Sequence, residues 1–140
     1  MKLLLTGASG YIGKRLLPVL VASGHEVICG VRDINRFAPP ASLKSRIEVV
    51  QIDLLDKASL ENIPKDIDGA FYLVHSMSVS SDYLTLEKES AINFRNAINQ
   101  TSAQHVVYLS GIINETELSQ HLASRKNVEI ELGKGKYHFT

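Results

Sequence analysis

The chain has 140 residues, 44% of them hydrophobic and 21% charged, the balance of a single globular domain over residues 1–140 built on one core. Fifteen basic and fifteen acidic side chains cancel, which argues against a nucleic-acid or anionic-membrane surface, since either needs a clustered basic face. The apolar runs are too short to span a bilayer, Met1-Lys2 leads into a strand rather than a cleavable leader, and a lone cysteine permits no internal disulfide, so a cytoplasmic setting is expected.

Lys2 to Thr6 reads as a short buried strand that feeds directly into Gly7-Ala-Ser-Gly-Tyr-Ile-Gly13. Glycine is needed at Gly7, where the chain turns sharply out of the strand, at Gly10, where backbone approaches a diphosphate, and at Gly13, where helix packs closely on sheet. Ile12, Leu16, Leu17 and Leu20 then recur at helical spacing. The sequence of strand, glycine loop and helix predicts a dinucleotide site in which free N–H groups of the first helical turn meet the phosphates. Ser9, Tyr11 and Ile12 lie inside that loop and are expected to contact the ligand with the glycines. Pro18 falls within the helical pattern and predicts a kink or a distorted turn.

Ser23-Gly24 stops this helix, and His25 to Val31 reads as a second strand in which Cys29 is a small buried hydrophobe. Where that strand ends, a carboxylate would hold a ribose 2′-hydroxyl and an arginine would accommodate a 2′-phosphate. The order here is Arg32 then Asp33, with Arg36 following. Arginine pairs well with phosphate and Asp33 is expected to point away, so NADP is expected over NAD, with NAD the alternative and a solvated Arg-Asp pair the bland reading. The segment from Arg32 to Ser45 is loop-like around Pro39-Pro40, Ile47 to Ile52 is a third strand ending at Asp53-Leu54, and Leu55 to Asn62 predicts a short helix. Ala70 to Val74 is the fourth strand, Asp82 to Thr101 the longest helix, with Leu84, Ala91, Phe94 and Ile98 in phase, and His105 to Ser110 the fifth strand. Glu115 to Leu132 is helix-compatible, and Lys136 to Thr140 resembles the opening of a sixth strand.

Alternating strands and helices with mostly apolar strands predict an α/β fold, a Rossmann-type doubly wound parallel sheet of order 3-2-1-4-5 with its crevice where strands one and four diverge. Most of strand six and of a substrate region is expected to be lacking. Strand five would then present unpaired backbone groups, the residues after Leu132 would be mobile or pair in another way, and self-association through that edge is expected. Histidines 25, 75, 105 and 138 fall on different elements without ligand spacing, so no metal site is expected.

Thr6 to Gly13, Val31-Arg-Asp33, Asp53-Leu54, Tyr72-Leu-Val-His-Ser-Met77 and Val107-Tyr-Leu-Ser-Gly111, in that order and spacing, resemble the atypical short-chain dehydrogenase/reductases. The resemblance is to their NmrA-like, NAD(P)H-binding branch, often labelled nucleoside-diphosphate-sugar epimerases, and it covers essentially the whole chain. It implies that Asp53 and Leu54 lie beside the adenine, that Val74, His75 and Ser76 line the cofactor, and that Ser110 ends strand five near the nicotinamide. For Asp53 a helix cap, and for Ser110 a backbone-bonded strand end, are the structural alternatives. Catalytic members pair a tyrosine with a lysine four residues on; at the matching place this chain has His121-Leu-Ala-Ser-Arg125, one helical turn apart. His121 as a proton donor and Arg125 as a ribose-binding group are the candidates there, with a surface helix pair as the alternative. Two functions follow: an oxidoreductase or epimerase-like domain acting on an unknown small molecule, or a non-catalytic NADP(H)-binding redox-sensor or interaction module.

Overall fold

Three leucines in the first strand set the pattern of the sheet. In β1 (Lys2–Thr6), Leu4 packs into one apolar cluster with Ile28, Phe94 and Val106, while Leu3 and Leu5 pack into another with Val27, Cys29 and Leu17. Successive side chains of a strand point to opposite faces, so a strand apolar throughout needs cover on both. The computed structural model, which describes residues 1–75, 83–110 and 120–140, supplies that cover.

The chain continues through α1 (Tyr11–Ala22), β2 (Glu26–Val31), β3 (Ile47–Gln51), β4 (Gly69–Tyr72), α2 (Tyr83–Ile98), β5 (His105–Tyr108), α3 (Gln120–Leu132) and β6 (His138–Phe139). All strand pairs are parallel, in the order β3-β2-β1-β4-β5-β6. Helix α1 presses Gly13, Leu17, Leu20 and Val21 onto one face. Helices α2 and α3 cover the other through Phe94, Ile98, Val128 and Leu132, and Arg95 on α2 ties them together by donating to Glu131 Oε2 at 2.7 Å and to the Glu131 carbonyl at 3.1 Å.

Several expectations change in detail. Helix α1 runs through Pro18 without a break; the proline sits on the exposed side, where the carbonyl it leaves without an N–H partner can face water. The helix closes at Gly24 (φ 83), where the His25 N–H donates to Leu20 and the Gly24 N–H to Val21. The helix expected over Leu55 to Asn62 is instead a single 3-10 turn, Ser59–Asn62. Asp53 and Asp56 there accept the N–H groups of Leu55 and Ala58, a side-chain turn that competes with helix. Strand four ends at Tyr72 and strand five at Tyr108, which leaves Leu73 to His75 and Leu109-Ser110 as loop.

The sheet also goes one strand beyond order 3-2-1-4-5. Although β6 has only two residues, it lies parallel beside β5 in the ordinary place, with His105 opposite His138 and Val106 opposite Phe139. The Tyr108 N–H donates to Thr140 at 2.8 Å, and Thr140 and His138 donate to Val106 and Gln104. The residues after Leu132 therefore pair as the fold prescribes, and the bare β5 edge expected to drive self-association is covered.

Candidate functional site

Where β1 is flanked by β2 and β4, the chain reverses the direction in which strands are added, and a crevice opens beyond the strand ends. A cleft of about 520 Å³ occupies this place. Gly7, with φ of 75°, begins its floor; a β-carbon there would stand 2.7 Å from the Leu73 carbonyl oxygen. At Gly13 a β-carbon would collide with the Gly7 carbonyl oxygen, so glycine alone lets α1 start so close to β1. Gly10 caps α1 without a side-chain bond, and the first turn carries no acidic residue, leaving the helix end and its N–H groups open to an anion. This cradle fits a diphosphate.

Of the residues singled out in the sequence, Gly7, Ser9, Gly10, Arg32, Asp53, Leu54, Val74 and His75 line the cleft. Tyr11 and Ile12 are exposed at the start of α1, with the Arg15 guanidinium 3.7 Å from the Tyr11 ring centre; they form rim rather than lining. Gly13 acts by its close packing. At the end of β2 the two candidate charges part company: Arg32 faces the cleft, whereas the Asp33 carboxylate accepts the Asn35 N–H at 2.9 Å and closes a local turn. Arg36 lies in that turn and outside the lining. Asp53 both lines the cleft and accepts the Leu55 N–H at 3.0 Å, so its site and turn readings coexist.

The far wall was less visible in the sequence. Helix α2 contributes Leu86, Glu87 and Ser90, and Asn93 on the same helix donates to the Leu54 carbonyl at 2.9 Å, fixing the loop after β3. Glu87 is 6% exposed, accepts the Ser124 hydroxyl from α3 and faces His75 Nδ1 at 3.8 Å. The signal was its spacing: Glu87 falls in phase with Leu84, Ala91, Phe94 and Ile98, an acid within an apolar stripe. Burial, followed by the charge of Arg125, holds His75 below its ordinary range against the opposing Glu87 carboxylate. Burial pushes the Tyr108 phenol up to about 12 and raises Tyr72 as well, with the Glu87 charge adding to it.

Ser110 follows β5 outside the cleft lining. Arg125, on α3, is half-buried beside His75 and Tyr108, and the Tyr108 hydroxyl donates to its carbonyl at 3.4 Å. The backbone of His121 opens α3, but its side chain, like Ser76, lies outside the described residues. Among the described residues no group of three His, Cys, Asp or Glu is placed to hold a metal ion, and no helix is long and apolar enough to cross a membrane.

A family model described as NAD(P)H-binding matches residues 7–133. The chain is 27% identical over 116 residues to an uncharacterized protein of Saccharomyces cerevisiae, covering 81% of this chain and 39% of that one. It superposes with a TM-score of 0.81 and 18% identity on a nucleoside-diphosphate-sugar epimerase from Staphylococcus aureus, covering 99% of this chain and 48% of the other. With Citrobacter sp. triphenylmethane reductase complexed with NADP(H), the TM-score is 0.77 at 17% identity, over 99% and 47% of the two chains. The chain thus spans less than half the length of each.

Proposed function

The chain belongs to the NAD(P)H-binding family, and we propose that its cleft takes NADP(H) in preference to NAD(H) and serves hydride transfer to or from a small organic substrate. The preference rests on one observation: Arg32 lines the cleft at the end of β2, while Asp33, the group that would hold a ribose 2′-hydroxyl, stands outside the lining and accepts the Asn35 N–H. A guanidinium offers a 2′-phosphate two parallel donors, worth roughly 1.5–3 kcal/mol when the partner is charged. Gly7, Gly10 and the N-terminus of α1 hold the diphosphate, and Asp53 and Leu54 stand along the adenosine half. When bound, the dinucleotide supplies or accepts a hydride. Hydride transfer is favoured over a purely binding role by two ionisable groups in the far wall, the half-buried His75 and the buried Glu87.

Arg32→Ala tests the preference. It should weaken NADPH by about tenfold or more and leave NADH nearly unchanged; equal losses for both would assign Arg32 a general role and remove the argument for NADP. The chain has no tryptophan, so reduced nicotinamide fluorescence reports binding without interference. Turnover against a panel of carbonyl compounds tests the chemistry, and a chain that binds NADPH but reduces none acts as a binding module.

A further inference from the structure

Asp53 lines the cleft from a loop beyond the end of β3, and a loop side chain owes its direction to the bonds around it. Its Oδ1 accepts the Leu55 N–H at 3.0 Å, and its own N–H donates to the Ser59 hydroxyl at 2.8 Å. The other side of the Leu54–Leu55 peptide is held from a distance. Asn93 Nδ2, on α2, donates to the Leu54 carbonyl at 2.9 Å, across 39 residues of sequence. A single peptide unit therefore joins the two side chains, its oxygen bonded to Asn93 and its N–H to Asp53. The Leu54 side chain packs in the cluster that holds Ala91 and Phe94 of the same helix. Apolar packing has no direction, whereas a hydrogen bond fixes the plane of a peptide. Asn93 is 4% exposed; a buried carboxamide is costly to desolvate, and the bond to Leu54 is what offsets that cost.

We propose that Asn93 is a positioning residue for the dinucleotide: through the Leu54–Leu55 peptide it holds the Asp53 carboxylate in the direction that receives a hydrogen-bond donor of the adenosine half. The proposal rests on the reading that Asp53 and Leu54 stand along that half, and it does not depend on hydride transfer. Asn93 lies outside the cleft lining, so it acts through Asp53 rather than on the ligand. Hydrogen bonds in series polarise one another, and loss of the first weakens the second. Without the Asn93 amide the Leu54 carbonyl has lost its donor, the peptide is free to turn, and its N–H no longer holds Asp53 Oδ1. The carboxylate then samples other directions, and the ligand has to order it on binding.

The test is a double-mutant cycle read by NADPH binding. Asn93→Leu should weaken NADPH about tenfold, and Asp53→Ala should weaken it as well. The two changes together should cost little more than the larger single loss, because both remove the same carboxylate contact. Losses that multiply assign Asn93 a general structural role and overturn the proposal, as does an Asn93→Leu chain that binds NADPH like the wild type. A second readout needs no change at Asn93. In nitrogen-edited NMR of the wild-type chain, the Leu55 amide and the Asn93 side-chain NH2 signals should shift together as NADPH is added; Asn93 signals that stay fixed overturn the proposal. An Asp53→Ala chain that keeps full affinity overturns the adenosine reading of Asp53, and the proposal with it. No NADPH binding by the wild-type chain overturns the dinucleotide reading of the cleft itself.

Discussion

A methyl group added at Gly13 would collide with the Gly7 carbonyl and stand 2.8 Å from the Ala8 Cα. Both neighbours are backbone and cannot swing away, so Gly13→Ala should cost at least about 2 kcal/mol in urea denaturation. Gly24→Ala is the control, since its β-carbon would meet nothing within 4 Å and only the positive φ is strained; about 1 kcal/mol is expected. Equal losses would mean that the close approach of α1 to β1 does not matter. The three loop glycines were legible in the sequence by their spacing after a strand; Gly7 and Gly13 have no room for a β-carbon, whereas at Gly10 one would meet only the Gly7 carbonyl oxygen, at 3.2 Å. Arg32 and Asp33 were legible as a pair, with Arg32 toward the ligand and Asp33 turned away; what was not legible is the partner that takes Asp33, the Asn35 N–H of the 3-10 turn. Glu87 escaped notice because a helical stripe was read for its apolar members.

At the scale of elements, strand and helix order followed from periodicity, whereas lengths depended on contacts far apart in sequence. The two residues of β6 illustrate this. Lys136 to Thr140 read as a strand cut short, yet three backbone hydrogen bonds, from Tyr108, Thr140 and His138, secure it to β5 and the stretch before it, and the Phe139 ring stacks 6.5 Å from Tyr108. Deleting residues 138–140 should uncover the β5 edge and produce concentration-dependent association, measurable by light scattering against the intact chain. No change would mean that β6 does not protect that edge. Pro18 gives the opposite lesson: a residue that reads as a breaker is tolerated because its side of α1 is exposed.

Over the whole molecule, burial leaves a titration signature. It pushes Tyr108 and Tyr137 up to about 12 and Cys29 up to about 11, and it raises Tyr72 further. In the unfolded chain these groups ionise from their ordinary values of 10.0 and 9.0. Between those values and the raised ones the folded state holds more protons than the unfolded state, so stability falls as pH rises through that window. Thermal unfolding should therefore move to lower temperature from about pH 9 upward; a melting temperature constant to pH 12 would mean that these side chains reach water. Fold class and the position of the cleft were the most legible features, since both follow from a parallel sheet entered through a glycine loop. The acid–base wall was the least legible, since it joins α2, α3 and the ends of β4 and β5. The central claim is a cleft built for a phosphorylated dinucleotide, and calorimetric titration of the intact chain with NADPH, NADP, NADH and NAD tests it most directly. Tighter binding of NADPH and NADP than of their unphosphorylated counterparts is the predicted result; equal or weaker binding of the phosphorylated pair, or no binding of any of the four, would contradict it.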